Sequence, residues 1–301
     1  MKKDPAGILS ALLTPMNADG TEIDEKVFAR LVRSQVSLGV HGVVIAGTTG
    51  EHSTLTLGER KRLCEIAVAE AGGKVQVIAQ VGAPGSRECF DLARHAVASG
   101  ADRLMVVAPY YDRLRWPDLV RHMGECASIA GEPVIYYHTP RVTGLDLTEE
   151  ELVSLARAGH ISHIKDSAAN FTATMRLLLN PEAPRVIAGS DPAMMAALAG
   201  GAVGSILGAA TFIPEICVEL YDAIVVEKDL AKGQDTWRRL WPILNFLLLN
   251  GYVAMAKAGA HLRGMNVGSP RLPLLPAEAS GRAELARLLE AAGIAALPTP
   301  R

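Results

Sequence analysis

One pattern of hydrophobic positions recurs eight times along roughly the first 225 residues. A short run of apolar residues is followed each time by a stretch with helical spacing, as at Val27, Phe28 and Leu31. Strands that are apolar on both faces and alternate with helices predict a parallel sheet. The apolar runs begin near Ile8, Val43, Val75, Leu104, Val134, Ile161, Val186 and Val203.

Several helices carry recognisable start signals. Thr56 with Glu59, and Thr148 with Glu151, match the capping box, in which each side chain satisfies a backbone amide of the other residue. Asp191-Pro192 predicts a capping residue followed by proline at the first helical position. These signals fall between the apolar runs, so they support the alternation of strands and helices.

Eight such units predict a (β/α)₈ TIM barrel. A doubly wound open sheet is the alternative fold. Eight units fit a closed barrel better than an open sheet. In addition, the Gly-x-Gly-x-x-Gly motif that a dinucleotide-binding sheet would require does not follow the first strand.

The pattern changes after residue 228. Strand-like runs stop, and helical stretches are predicted at 229–250, 252–263 and 277–292. This part is too short to bury a separate core. We therefore predict a barrel over 1–228 that carries the active site, and a C-terminal helical extension over 229–301 that packs on the barrel.

Composition and charge exclude several classes of function. The net charge is −2, so electrostatics gives no reason to expect nucleic acid or an anionic membrane as a partner. The apolar run 246–249 lies between two asparagines and is too short to span a bilayer. The four cysteines are scattered without Cys-x-x-Cys spacing, which favours reduced thiols and a cytoplasmic protein.

In a barrel of this kind, the chemistry lies at the carboxyl ends of the strands. Lys165 stands at such an end, after the apolar stretch that begins at Ile161. Burial there disfavours the ammonium form and favours the nucleophilic amine that forms a Schiff base with a carbonyl compound. A single lysine at a strand end more often extends its ammonium to water, so the neighbours of Lys165 decide the interpretation.

Two other strand ends supply suitable partners. Tyr137 ends the fifth strand, where its hydroxyl could transfer protons to and from an imine; by itself it would be read as a packed aromatic residue. The segment Gly47-Thr48-Thr49-Gly50-Glu51 follows the second strand and offers backbone amides and hydroxyls to a carboxylate, although an ordinary glycine-rich turn has the same composition.

These motifs together resemble the N-acetylneuraminate lyase and dihydrodipicolinate synthase family of Schiff-base, pyruvate-dependent lyases. The resemblance covers nearly the whole chain, with the motifs in order at positions that suit a barrel. It is carried by Gly47-Thr48-Thr49-Gly50-Glu51, Pro109-Tyr110-Tyr111, Tyr137-x-x-Pro140 with Thr143-Gly144, Ile164-Lys165-Asp166-Ser167, Gly189-Ser190-Asp191, and the segment from Lys257 through Gly264 to Arg271-Leu272-Pro273-Leu274-Leu275-Pro276.

The resemblance implies a role for each site residue. Lys165 forms the imine with pyruvate or another 2-oxo acid, and Tyr137 is the acid and base. Thr48 relays protons to Tyr137, and Tyr111 completes the relay from a neighbouring subunit of a homotetramer built from two dimers. No cofactor or metal is implied. The substrate-binding residues are expected to be Gly47, Thr49, His138, Gly189 and Ile206, the last through its backbone.

Two departures from the family pattern bear on the substrate. Dihydrodipicolinate synthases have an arginine two residues after the motif proline, and this chain has Val142 there, with Arg141 one position earlier. His138 stands where asparagine is common. Loss of a guanidinium fork removes bidentate recognition of a carboxylate. The sequence therefore favours an aldolase or dehydratase acting on a 2-oxo-3-deoxy sugar acid or 4-hydroxy-2-oxo acid. Condensation of pyruvate with aspartate semialdehyde, as in 4-hydroxy-tetrahydrodipicolinate synthase, is the alternative.

Three further alternatives remain open. A metal-dependent aldolase would need clustered ligands, for which His138, His160 and His163 are the candidates, although their spacing argues against a shared ion. A phosphate site near strand eight could use Gly200-Gly201 and the glycines at 204 and 208, which serve close packing equally well. A catalytically silent member that binds a small oxo acid is the third.

Overall fold

The computed structural model describes residues 4–17 and 19–295. Eight parallel strands pair in sequence order and close into a barrel, with β1 paired to both β2 and β8. The strands are β1 (Gly7–Ala11), β2 (Gly42–Ile45), β3 (Gln76–Gln80), β4 (Arg103–Val107), β5 (Val134–His138), β6 (Ile161–Asp166), β7 (Arg185–Ala188) and β8 (Gly204–Leu207). The predicted (β/α)₈ barrel is confirmed, and the predicted strand starts are correct to within one residue.

The helices cover the outside of the barrel and continue beyond it. Around the strands lie α1 (Glu25–Ser37), α2 (Leu57–Ala71), α3 (Ser86–Ala98), α4 (Trp116–Ala130), α5 (Pro140–Thr143), α6 (Glu149–Arg157), α7 (Phe171–Leu179), α8 (Met194–Ala199) and α9 (Pro214–Tyr221). The C-terminal helices are α10 (Leu230–Leu249), α11 (Tyr252–Leu262) and α12 (Ala279–Ala291). Within the described residues, no helix is long and apolar enough to cross a bilayer.

Alternation along each strand divides the apolar side chains into two layers. Leu9 and Tyr137 point into the barrel, whereas their neighbours Ile8 and Tyr136 point out toward the helices. The inner cluster is small and the outer cluster is large. The barrel interior is therefore a packed core, and its open end is where polar side chains can gather.

The structure tests the predicted helix starts. Both capping boxes are present at the first turns of α2 and α6. The prediction that Asp191 caps a helix is wrong. Asp191 belongs to a short 3₁₀ turn whose capping residue is Ser190, and its carboxylate instead accepts a hydrogen bond from Tyr252 in α11. A buried hydroxyl from a distant helix has taken the place of the local backbone amide.

Two of the glycines near strand eight, Gly204 and Gly208, serve close packing. A Cβ atom at Gly204 would lie 2.2 Å from the carbonyl oxygen of Gly7 on the neighbouring strand. A Cβ atom at Gly208 would lie 2.6 Å from both Thr49 Oγ1 and the ring of Tyr252. Contacts this short require glycine, which supports packing over the phosphate site that the same residues suggested.

Candidate active site

Lys165 lies at the carboxyl end of the barrel with its side chain directed toward the interior. It is the fifth residue of β6, paired with Tyr137 of β5 on one side and Ile187 of β7 on the other. Only 6% of the lysine surface is exposed, and Nζ lies 4.0 Å from the centroid of the Tyr137 ring. The two predicted catalytic side chains are thus in contact because neighbouring strands end in register.

The hydroxyl of Tyr137 is tuned by its surroundings. Burial by itself raises the pKa of this phenol, but the Lys165 charge and hydrogen bonds with Thr48, Ser167 and Lys165 outweigh burial and hold the pKa below its ordinary value. Thr48 Oγ1 lies 3.3 Å from the hydroxyl oxygen. A phenol with a lowered pKa and hydrogen-bonding partners is suited to proton transfer.

The loop after β2 carries Thr48 and Thr49 to the barrel mouth. Thr48 is exposed, whereas Gly47 and Thr49 are buried. The backbone enters and leaves this loop in the left-handed region, with φ of +49° at Ala46 and +58° at Glu51. Such a conformation is costly for residues with a side chain, and it persists only where surrounding contacts enforce it.

Contacts from outside the loop provide that enforcement. Thr14, in the loop after β1, donates a hydrogen bond of 2.7 Å to the carbonyl oxygen of Gly50. The buried carboxylate of Glu51 forms an ion pair of 2.7 Å with Lys257 of α11. Its second oxygen accepts the backbone N–H of Arg271 at 2.7 Å. The C-terminal helices therefore hold the threonine loop in place.

Arg271 also ties this extension to the loops after β1 and β2. Its guanidinium forms a bidentate pair with Glu59, at 2.8 Å and 2.9 Å, and donates to the carbonyl oxygens of Gly20, Thr21 and Thr54. A planar fork with several fixed acceptors is a rigid connection. The sequence associated this late segment with the family but did not explain what it contacts.

Gly189 and Ile206 come from the two strands beyond β6. A Cβ atom at Gly189 would lie 2.9 Å from Lys165 Cγ and 2.3 Å from Ser167 Oγ, so the absence of a side chain makes room for the lysine. Ser167 Oγ donates to the Gly189 carbonyl at 2.9 Å. Ile206 belongs to the inner cluster together with Tyr137, and pairs with Leu9 of β1.

A buried carboxylate and phenol form a network that sequence reasoning missed. The hydroxyl of Tyr252 donates to Asp191 and accepts the backbone N–H of Ala209 at 2.9 Å. Burial raises the pKa of Asp191 to about 6, although Tyr252 and the charge of Lys165 act in the opposite direction. Asp191 and Tyr252 are 61 positions apart, so no local sequence signal could have revealed the pair.

His138 lies on the other side of its strand. Its imidazole packs beside Tyr136, with ring centroids 5.9 Å apart, and its Nε2 accepts the backbone N–H of Leu147 at 3.3 Å. Nδ1 therefore carries the proton, 3.4 Å from Asp166 Oδ1. Asp166 also accepts from Thr174 at 2.6 Å. The structure does not bring His138 together with Lys165, and its binding role stays a prediction.

The remaining residues singled out from the sequence lie on exposed segments. Tyr111 is 87% exposed and, within the described chain, makes no hydrogen bond to Thr48 or Tyr137. Val142 lies in α5 and is 54% exposed, and Arg141 beside it is exposed as well. Arg113 packs against Gly144 at the end of the same helix. The predicted part of Tyr111 in the proton relay is not tested by a single chain.

The histidines considered as metal ligands occupy separate surroundings. His163 contacts Ser162 at 2.9 Å, and the ring of His160 lies against Gly124. Another group of potential ligands lies in the outer layer, on α3 and α4, and consists of Cys89, His122 and Cys126. No motif in the sequence indicated that these three residues meet.

Comparison with known proteins gives a consistent result. The model of the dihydrodipicolinate synthetase family matches residues 4–292. The chain is 35% identical to the 4-hydroxy-tetrahydrodipicolinate synthase of Acidiphilium cryptum over 96% of this chain and 99% of that protein. It is similar in structure to YagE of Escherichia coli K12, solved in complex with pyruvate, with a TM-score of 0.90, 28% identity and coverage of 96% and 99% of the two chains.

A second solved structure, the dihydrodipicolinate synthase of Aquifex aeolicus, has a TM-score of 0.90 and 28% identity, with 99% of this chain and all of that chain covered. The family match extends over nearly the whole chain, and the similar solved structures agree with the closed barrel. The chain belongs to the dihydrodipicolinate synthetase family and is a Schiff-base-forming, pyruvate-dependent lyase.

Proposed function

We propose that this enzyme condenses pyruvate with aspartate semialdehyde and thus acts as a 4-hydroxy-tetrahydrodipicolinate synthase. The observation that carries the chemistry is the buried Lys165 amine against the ring of Tyr137, whose hydroxyl contacts Thr48. The choice of aldehyde is supported by relatives of that name at 31–36% identity. Because Val142 and His138 depart from the family pattern, the sequence by itself favoured another substrate and left this activity as the alternative.

The first half of the reaction builds a nucleophile from pyruvate. The free amine of Lys165 adds to the C2 carbonyl, and the Tyr137 hydroxyl protonates the oxygen that then leaves as water. Loss of one C3 proton from the resulting cationic imine gives an enamine. Tyr137 is the group that accepts and returns protons in these steps, and Thr48 passes them onward.

The second half forms the carbon–carbon bond. The enamine carbon attacks the aldehyde carbon, and the new alkoxide takes a proton from Tyr137. The amino group of the aldehyde substrate then displaces Lys165 from C2, which closes the ring and returns the free lysine. Backbone amides and hydroxyls of Gly47, Thr48 and Thr49 hold the pyruvate carboxylate, and the Ile206 backbone and Gly189 border the reacting carbons.

The Schiff base is tested by chemical trapping. Pyruvate and borohydride should leave one reduced adduct per chain on Lys165, located by peptide mass spectrometry. The exposed Lys228 and the buried Lys257 are internal controls and should stay unmodified. An adduct elsewhere, or none, would refute the mechanism. Turnover of any 2-oxo acid would also exclude a silent binding protein.

A second candidate function rests on Val142. No guanidinium comes from that position to grip a second carboxylate, which favours cleavage or dehydration of a 2-oxo-3-deoxy sugar acid or 4-hydroxy-2-oxo acid. A panel of these acids, with pyruvate or 2-oxo acid release measured, is compared with consumption of pyruvate plus aspartate semialdehyde. The reaction of the enzyme is the one whose substrate, or combination of substrates, has the highest kcat/KM.

Substitution at position 142 sharpens this choice. If the enzyme is a lyase of sugar acids, Val142→Arg should improve use of aspartate semialdehyde, whereas the control Val142→Leu should not. If the enzyme already condenses aspartate semialdehyde efficiently, another group recognises its carboxylate. Arg113, which packs against Gly144, is then the first residue to replace.

We further propose that the enzyme is a homotetramer of two dimers in which Tyr111 serves the partner subunit's site. Its side chain is 87% exposed in a single chain, on a loop that also carries Tyr110 and that leads to Trp116 at the start of α4. Aromatic residues of this kind are enriched at subunit contacts. An exposed lid over its own site is the competing explanation for this loop.

Mixing two inactive variants distinguishes these explanations. Tyr111→Phe and Lys165→Ala chains are unfolded and refolded together. If Tyr111 acts in the partner's site, half of the randomly formed dimers are mixed and have one intact site, so activity should return to roughly a quarter of the parent value. Recovery no greater than the sum of the separate variants, or an active monomer in sedimentation, would contradict the proposal.

A further inference from the structure

The outer layer contains a compact group of soft metal ligands. Cys89 of α3 and Cys126 of α4 place their sulfur atoms 3.8 Å apart, and His122 Nε2 lies 3.9 Å from Cys126 Sγ. All three ligand atoms lie within 4.8 Å of one another. The three residues are buried, with exposures of 0%, 0% and 3% for Cys89, Cys126 and His122.

The distances between these ligand atoms match those between two ligands of one tetrahedral metal ion. Zinc binds thiolate sulfur at about 2.3 Å, so two sulfurs at the tetrahedral angle stand about 3.8 Å apart. A sulfur and an imidazole nitrogen on the same ion stand about 3.6 Å apart, close to the separation of Cys126 and His122. The ligand atoms therefore need to move little to bind an ion.

The imidazole is oriented by a second residue. Ser86 Oγ lies 2.9 Å from His122 Nδ1, and Phe90 stacks on the same ring with centroids 5.4 Å apart. When Nδ1 carries the proton and donates it to Ser86, the lone pair of Nε2, which lies 3.9 Å from Cys126 Sγ, is free to bind an ion. Metal-binding histidines are commonly fixed in this way by a partner on the other nitrogen.

Access and charge also suit a cation. A surface cavity of about 510 Å³ is lined by Ser86, Phe90 and His122, so the imidazole of the group borders the surface. The guanidinium of Arg60, in α2, interacts electrostatically with Cys89. Two thiolates with a divalent ion form a neutral centre, which adds no charge next to Arg60.

We propose that Cys89, His122 and Cys126 bind one thiophilic divalent cation, with zinc as the fitting ion and water as its fourth ligand. Binding displaces the thiol protons and forms two metal–sulfur bonds and one metal–nitrogen bond, without oxidation or reduction. The ion joins α3 to α4 on the outside of the barrel. It takes no part in the Schiff-base reaction, so the two proposals fail independently.

Cobalt is the spectroscopic probe for this site. Reduced full-length enzyme, treated with a chelator and dialysed, is titrated with Co²⁺. We expect one equivalent per chain to produce a sulfur-to-cobalt charge-transfer band, and one equivalent of Zn²⁺ to remove it. Cys89→Ser and Cys126→Ser should each abolish the band. The matched controls Cys64→Ser and Cys217→Ser replace buried cysteines outside the group and should retain it.

A measurement on the unsubstituted enzyme guards against misfolded variants. Zn²⁺ should slow alkylation of Cys89 and Cys126, mapped by peptide mass spectrometry, and leave the rates at Cys64 and Cys217 unchanged. It should also raise the Tm of the parent. A parent enzyme without the cobalt band, or alkylation of all four cysteines that zinc does not alter, would overturn the proposal.

Discussion

The barrel mouth and the α3–α4 pair both bury polar side chains, but they differ in how those side chains are brought together. At the mouth, Lys165 and Tyr137 end adjacent strands of one parallel sheet, so their proximity follows from strand order. Cys89 reaches Cys126 only because two helices pack with particular faces in contact. In a barrel, the position of each strand end follows from the strand order. Which faces of the outer helices contact each other depends instead on details of side-chain packing.

The two regions also differ in how their polar groups are satisfied. Lys165, Asp191 and Tyr252 belong to a charged network that extends into the C-terminal helices. The group on α3 and α4 consists of two thiols and an imidazole, and the imidazole contacts the hydroxyl of Ser86. We therefore expect substitutions at the mouth to affect catalysis and charge-dependent stability, and substitutions on α3–α4 to affect metal binding. The following changes test the first half of that contrast.

The largest effect is expected at the nucleophile. Lys165→Ala should abolish turnover and the reduced pyruvate adduct, because no other described lysine has its amine against Tyr137. Steady-state assays and peptide mass spectrometry measure the two results. Lys228→Ala removes an exposed lysine and should match the parent enzyme. Substantial activity in the Lys165 variant would assign the chemistry to another group.

Tyr137→Phe should slow turnover by about 10²–10⁴-fold, the usual contribution of a positioned acid or base. The adjacent Tyr136 offers a matched control, since its buried hydroxyl has no hydrogen-bond partner among the described residues and its side chain faces the helices. Tyr136→Phe should keep kcat near the parent value. Equal kcat values for the two variants would return Tyr137 to a packing role.

The ion pair that holds the threonine loop should dominate the stability of this region. Lys257→Met leaves the Glu51 carboxylate buried without its cation, and we expect a loss of about 3–5 kcal/mol in the free energy of unfolding. Denaturant titration measures it. The exposed pair Lys232–Glu227 has the same 2.7 Å separation, and Lys232→Met should lower the free energy of unfolding far less, because water screens an exposed pair. Similar losses in the two variants would mean that burial does not strengthen the ion pair between Glu51 and Lys257.

The smallest effect concerns pH and Asp191. Its pKa rises from 3.8 in the unfolded chain to about 6 in the fold, so the fold favours the protonated acid. The contribution of Asp191 to stability is therefore fully present below pH 3.8 and is lost as the pH rises through about 6. Between these two pH values, the free energy of unfolding of the parent should fall by roughly 2–3 kcal/mol relative to that of Asp191→Asn.

Urea titrations at pH 4 and pH 8 give this difference. Asp235→Asn, at an exposed position, serves as the control and should follow the parent at both values. A parent enzyme and Asp191→Asn variant with the same pH dependence would indicate that Asp191 ionises as readily in the fold as in water.

Much of the barrel, and the contact between its candidate catalytic residues, could be predicted from the chain. Hydrophobic runs of strand length separated by helical spacing gave the eight units, and the motifs around Lys165 and Tyr137 gave the family. The capping boxes at Thr56 and Thr148 were correct because both partners lie within one helical turn. Asp191 was wrongly read as a cap because its actual partner, Tyr252, is remote in sequence.

The sequence by itself thus determined the period of the elements, the order of the strands and the residue types at their ends, since these depend on local propensity and on the alternation of buried positions. Only the tertiary structure decided that Lys257 neutralises Glu51, that Tyr252 contacts Asp191 and that Cys89 meets Cys126. Such pairs depend on which faces of distant helices pack together. Burial then makes each pair matter, because a polar group removed from water requires a partner inside the protein.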